Sequence, residues 1–456
     1  MSGGEAHVEN SIWMRAVLFG GVFVAIGLLA FATMGVGIAN VKHVAYEDAI
    51  HEYEDAKYAY ENAKANNASD AEIATLKATK EEAHHHEVEA HLSYLTWRTA
   101  GITILLMCFT YASFIGLGGF LNSVFPDDHG HGDHGYGGDD HEHHGSGSPI
   151  VFSLGIMLFL MGFPSFQATL GNMLSGVDAN LGDLGLSMVG LLFVTAGVAN
   201  WWREDLPFIG NNEQIATETD EWFAGEHIRK AGLWVFIMSE VMVFATFFSS
   251  YLRMRTEWCT EWQVRDGNEN CSAVDTLTAS DFLRPNGGTL DGLGGQGDFM
   301  TLLPGAINTF ALIISSYTIV LALKTAKSKD WQAPTGVLGK IMPTKKAAIR
   351  NYLIATFLLG SMFIVLKLVE WSHLVAEGFT IGAAGTTGQA ASIFYVATGA
   401  HGLHVFIGLL VMLYLIFKAD TVGYDEKNGQ GIEYFGLYWH FVDLAWVVIF
   451  PAFYLY

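Results

Sequence analysis

The chain has 456 residues, of which 51% are hydrophobic, 13% aromatic and only 15% charged, with a formal net charge of −22. A soluble fold cannot bury that much apolar surface, and no nucleic-acid partner is expected of so acidic a chain. Runs near 20 apolar residues predict instead an all-α, polytopic membrane bundle of nine spans, at 13–40, 97–121, 150–172, 184–202, 230–252, 302–324, 350–375, 391–418 and 437–455.

The first span has no basic residue before it and no small-residue cleavage site after it, so it is expected to be retained. Beyond it, residues 43–96 hold twelve Asp and Glu against four Lys, a net charge of −8 with His neutral. Tyr46, Tyr53 and Tyr60 recur every seven residues there, and Ser69 with Glu72 has the form of a capping box. Together they predict an acidic helical hairpin that extends the first two spans. It is either a solvated prong that stiffens the structure or a docking surface for a cationic partner such as a cytochrome.

The loop DDHGHGDHGYGGDDHEHHG follows the second span. Its His129, His131, His134, His141, His143 and His144 are metal-capable, although their spacing defines no closed site. In the fifth span, GLWVFIMSEVMVFATFF places Glu240 roughly 15 Å above the basic pair Arg229 and Lys230. A charge at that depth costs on the order of 3 kcal/mol, so a buried partner or a functional role is expected.

Cys259 and Cys271 fall in the long loop 253–300, which the predicted topology exports, and a disulfide is expected there; Cys108, inside a span, reads as a packing residue. The linker 325–349 carries Lys327, Lys329, Lys340, Lys345 and Lys346. Its charge orients the bundle with the N-terminus cytoplasmic and the C-terminus outside, in a prokaryotic inner membrane.

Polar groups concentrate in the last three spans. Lys367 and Glu370 are three apart on one helix face and can neutralise each other. His401 and His404 share a face in ATGAHGLHVFIG, where Gly399, Gly402 and Gly408 are expected to let helices approach closely. His440 and Asp443 repeat the three-residue spacing. These histidines do not suit haem or copper ligation, which needs imidazoles converging from facing positions, and no Ser or Cys has an evident base beside it.

Four motifs in order, WWRE (201–204), HIRKAGLWVFIMSEVMVFATFF (227–248), FYVATGAHGLHVFIG (394–408) and YWHFVDLAWVVIFP (438–451), resemble subunit III of haem-copper terminal oxidases, chiefly cytochrome c oxidase. LPGAINTFALIISS (303–316) and LKLVEWSHL (366–374) resemble two further spans of that family. The resemblance covers 149–456 as a seven-span domain and leaves 1–148 as an extension with two spans, the hairpin and the His-rich loop. It implies a non-redox subunit that binds no cofactor itself, sits beside subunits I and II, where the haem and copper reside, and sustains proton uptake.

It also implies phospholipid in a cleft between the family's first two spans and remaining five, with Trp201, Trp202, Arg203, Glu204 and His227 as cleft candidates. Glu240 and Glu370 match the family's buried carboxylates, and His401, His404, His440, Asp443 and Lys367 form the accompanying polar network. After WWRE this chain departs from relatives that carry a further Arg-Glu and a His pair, and Lys367 is an unusual cation beside Glu370. A quinol oxidase subunit, a nitric oxide reductase accessory protein and a freestanding proton-coupled transporter are the competing readings.

Overall fold

In the computed structural model the described residues are 3–66, 68–124, 147–174, 180–205, 228–255, 299–376, 378–381, 386–421, 423–426 and 428–455. Among them there is no strand, and nine helices are long and apolar enough to cross a membrane. The protein is therefore an all-α integral membrane bundle. The chain divides into two compact units, Met1–Gly210 and Asn211–Tyr456.

In the first unit, α1 (Gly3–Ala30) runs through a π-helical stretch (Phe31–Ile38) into α2 (Ala39–Ala65), and α3 (Asp70–Val124) returns antiparallel along both. The reversal occurs where the sequence predicts it. Asn66 donates to the Asn62 side chain at 2.9 Å, and the Glu72 amide donates to Ser69 Oγ at 3.4 Å, which begins the new helix.

Small residues govern the membrane part of this pairing. Gly20 faces Ala112, Gly27 faces Cys108 and Leu105, and a Cβ at Gly101 would stand 2.4 Å from the Gly35 nitrogen. Gly20 and Gly27 are seven residues apart and Gly35 is eight further on; the π-helical stretch takes up the additional residue and keeps the seam turned toward α3. Cys108 is buried in this seam, as a packing residue should be.

Past Gly35 the seam changes character. Tyr46 stacks on His91 with ring centroids 4.5 Å apart and an interplanar angle of 13°, Tyr53 lies 4.9 Å from His84, and His43 lies 4.9 Å from Tyr94 edge-on. The seven-residue repeat of tyrosines thus meets a seven-residue repeat of histidines on the antiparallel helix, which holds the hairpin in register. Two further helices, α4 (Ser148–Leu174) and α5 (Gly185–Asp205), pair closely, and α5 also packs on α3. The first unit therefore takes in these two spans together with residues 1–148.

The second unit contains α6 (Ile228–Arg255), α7 (Phe299–Lys327), the short α8 (Val337–Ile341), α9 (Lys345–Ala376), α10 (Thr386–Thr421) and α11 (Gln430–Phe450), which ends in a π-helical turn (Pro451–Leu455). Its core is aromatic: Trp439, Trp446, Phe363, Phe394 and Phe453 are fully buried. The α10 glycines act differently from the close helix approach their spacing suggests. Gly408 with Gly360 makes room for the Trp439 indole, Gly399 faces the Trp371 ring, and a Cβ at Gly402 would meet nothing within 4 Å. Aromatic side chains, which need depth, occupy the space that glycines free.

One end of this unit is held by charge pairs. Glu433 bridges Lys230 of α6, at 3.0 Å, and Lys327 of α7, while Arg350 meets Asp420 at 2.6 Å. In the turn between α10 and α11, burial pushes the Tyr424 hydroxyl well above its ordinary pKa, and nearby Tyr414 adds to the effect.

Candidate functional site

The polar groups inside the second unit fall into two clusters. The first involves Glu240 of α6, which faces α10 and α11. Its Oε2 lies 3.3 Å from His404 Nε2, and the side chains are only 19% and 17% exposed. Tyr438 of α11 donates to the His404 carbonyl at 2.8 Å and lies 3.3 Å from Nδ1. The rings of Phe244 and Phe441 stand 5.7 and 6.3 Å from the imidazole and exclude water from one flank.

The carboxylate deep in the fifth predicted span thus has a partner. His404 stands between a carboxylate and a phenol, so a proton on either ring nitrogen satisfies one neighbour and a doubly protonated ring satisfies the carboxylate as an ion pair. The arrangement can hold or pass a proton, and it can equally bind three helices together.

The second cluster is drier. Lys367 is 3% and Glu370 8% exposed, with Nζ 3.0 Å from Oε1. The Tyr454 hydroxyl, brought in by the π-helical turn after α11, hydrogen-bonds both. The ammonium also lies 4.9 Å from the Phe394 ring centre, 5.2 Å from Trp446 and 4.8 Å from Tyr454, a cation–π cage that offsets part of its lost hydration. Glu370 Oε2 is buried with no hydrogen-bond partner among the described residues.

His401 shares a helix face with His404 but not its surroundings. It is fully buried, with Nε2 3.0 Å from the Val442 carbonyl and its ring 5.2 Å from both Phe363 and Trp446. Asp443 lies beside Ser316 and His440, and His440 itself is exposed. The expected network is therefore two separate clusters, with His401 packed as a core residue and His440 at the surface.

Sequence reasoning passed over several contributors. Trp439 Nε1 donates to Ser315 Oγ at 2.8 Å, Trp446 Nε1 to Thr309 Oγ1 at 2.9 Å, and the hydroxyls of Thr318 and Thr356 meet at 2.7 Å. Polar residues in INTFALIISS at two-turn spacings were the available signal; Tyr438 and Tyr454 gave none, because tyrosine is common in such spans.

Trp201, Trp202, Arg203 and Glu204 belong to α5, but their side chains, together with His227, Cys259, Cys271, His129, His131, His134, His141, His143 and His144, lie outside the described residues. Among the described residues, no three His, Cys, Asp or Glu side chains converge as a metal would require.

Residues 337–456 match the family model described as cytochrome c oxidase subunit III. Proteins from Staphylococcus epidermidis and Staphylococcus aureus, each named probable quinol oxidase subunit 3, are 28% identical to this chain over 230 and 228 residues respectively. A Staphylococcus saprophyticus protein of the same name is 27% identical over 229 residues, and in all three cases the match covers 50% of this chain and 89% of the relative. The matched residues 337–456 contain both polar clusters' α9 to α11 residues, and this part of the chain is similar to the subunit III family of haem-copper oxidases.

Proposed function

We propose that this protein is the non-redox subunit III of a proton-pumping haem-copper terminal oxidase in aerobic respiration. In this reading it packs beside subunits I and II, which carry the haem and copper, stabilises subunit I, holds phospholipid and supports proton uptake. The observation that carries the reading is the family match over 337–456, which takes in His401, His404, Tyr438, Lys367 and Glu370.

The Glu240, His404 and Tyr438 triad is consistent with a supporting role in proton supply. It offers a proton-holding group at membrane depth. In this reading the membrane is a prokaryotic inner membrane, and the lysine-rich linker supports a cytoplasmic N-terminus.

Two features point to different electron donors. The net charge of −8 on residues 43–96 favours a cationic protein donor such as a cytochrome c, whereas the names of the relatives favour a quinol. Purification of the tagged chain from its native membrane tests both levels. Co-purification of a haem protein is expected, and recovery without one removes the oxidase reading in favour of a freestanding transporter. The purified complex's oxidation of reduced cytochrome c against a quinol then separates the donors.

A further inference from the structure

The connection between α7 and α9 is a folded element. Lys345 Nζ donates to the Ser328 carbonyl at 2.7 Å, Asn351 Nδ2 donates to the Ile341 carbonyl at 2.8 Å, and Met342 is buried. Two glycines permit the turn before α8. Gly336 sits at φ +82°, and a Cβ at Gly339 would stand 2.2 Å from the Pro334 carbonyl oxygen. Asn351 is six residues into α9, about 9 Å along its axis, so the bond to Ile341 draws α8 back alongside the membrane-spanning helix.

Held in this way, α8 turns its apolar side chains outward: Val337 is 73%, Leu338 56% and Ile341 53% exposed. A tethered segment that exposes three large aliphatic side chains calls for an apolar environment. The flanking charge is one-sided. Residues 324–350 contain Lys324, Lys327, Lys329, Lys340, Lys345, Lys346 and Arg350 against Asp330 alone, and of these Lys327, Lys329 and Arg350 pair with Glu433, Glu426 and Asp420. Within α8, Lys340 lies two residues beyond Leu338 and is exposed, and Lys324 is exposed near the end of α7. Aliphatic side chains and lysines on a short element beside a membrane helix match the boundary between acyl chains and anionic headgroups.

We propose that α8 is an interfacial anchor that binds anionic phospholipid, with Val337, Leu338 and Ile341 among the acyl chains and Lys340 and Lys324 at the headgroup phosphates. The proposal rests on α7 and α9 crossing the membrane, and it does not depend on which donor the oxidase uses. The segment would lie about 5–10 Å into the headgroup and acyl boundary. It would fix the turn between the two spans relative to the bilayer and select anionic lipid for that position.

The test places a nitroxide label at L338C and, separately, at I341C in the intact complex. The complex is reconstituted in bilayers of phosphatidylcholine alone or with phosphatidylglycerol, and the unsubstituted chain, carried through the same labelling, sets the background. Collision with oxygen and exclusion of a water-soluble nickel chelate are expected at both sites, with an exposed hairpin position, E61C, giving the opposite pattern. Phosphatidylglycerol retained by the purified complex, counted by native mass spectrometry, is expected to fall severalfold in K324Q/K340Q and to fall with added salt. Free access of the chelate at both sites would place α8 in water and overturn the proposal. Exclusion of oxygen and chelate together, in detergent as well as in bilayers, would mean that a partner protein covers α8 and would also overturn it. Retention of phosphatidylglycerol unchanged in K324Q/K340Q would remove the anionic site. Absence of a haem partner would count against the oxidase reading alone, since the label reports depth in either case.

Discussion

The long helices of the first unit and the aromatic core of the second answer one difficulty in opposite ways. Inside a membrane, lipid tails are as apolar as leucine, so helices gain little from hiding apolar side chains and must associate through close packing or polar contact. The α1 and α3 pair uses packing: Gly35 and Gly101 bring two backbones together, and Gly20, Gly27 and Ala112 continue the seam. The α9, α10 and α11 group keeps its backbones further apart around indoles and phenyl rings, and it places Lys367 and Glu370 among them, while Glu240 reaches His404 from α6. A glycine seam tolerates almost no change of volume, whereas a polar core tolerates volume changes but no loss of a partner.

Four experiments test that contrast. Gly101→Leu should have the largest effect, because there is no room beside Gly35 and neither backbone can yield; a loss above about 3 kcal/mol is expected, read as failure of the full chain to accumulate in protease-resistant form. Lys367→Met should cost roughly 3–5 kcal/mol by leaving the buried Glu370 without its cation and with only the Tyr454 hydroxyl beside it, and adding Glu370→Leu should restore most of it. A double-mutant cycle on thermal unfolding of the purified complex measures this, and additive losses would show that the pair does not interact.

A middle-sized effect is expected at Glu240. Glu240→Gln keeps a hydrogen bond to His404 and should lose about 1 kcal/mol or less, whereas Glu240→Lys sets a cation at membrane depth against an imidazole and should lose about 3 kcal/mol. Recovery of the assembled complex compares them, and equal recovery would contradict a half-buried site. Smallest of all, His86→Ala removes an exposed contact to Glu52 and should change stability by about 0.5 kcal/mol or less, an effect abolished by salt.

The same contrast explains what could be read in advance. The spans were legible because a membrane demands about 20 apolar residues in succession, and that demand is local. So was the hairpin: Tyr46, Tyr53 and Tyr60 announce a helical stripe, and Ser69 with Glu72 announces the new helix start. The Lys367 and Glu370 pair was legible too, since residues three apart on a helix must be neighbours. The glycines of α10 misled, because small residues leave room without stating whether a backbone or an indole will fill it.

Sequence alone determined that this is an all-α membrane protein with a helical hairpin, a deep carboxylate and a local Lys–Glu pair, since helix period, span length and capping act over a few residues. Tertiary structure alone decided that Glu240 meets His404 and Tyr438, that Tyr454 closes over Lys367 and Glu370, that His401 is packed away from its neighbour, and that α8 turns its aliphatic side chains outward. Those contacts join residues on different helices. A hydrogen bond of about 3 Å between them depends on how whole helices rotate and slide against each other, which no local pattern specifies.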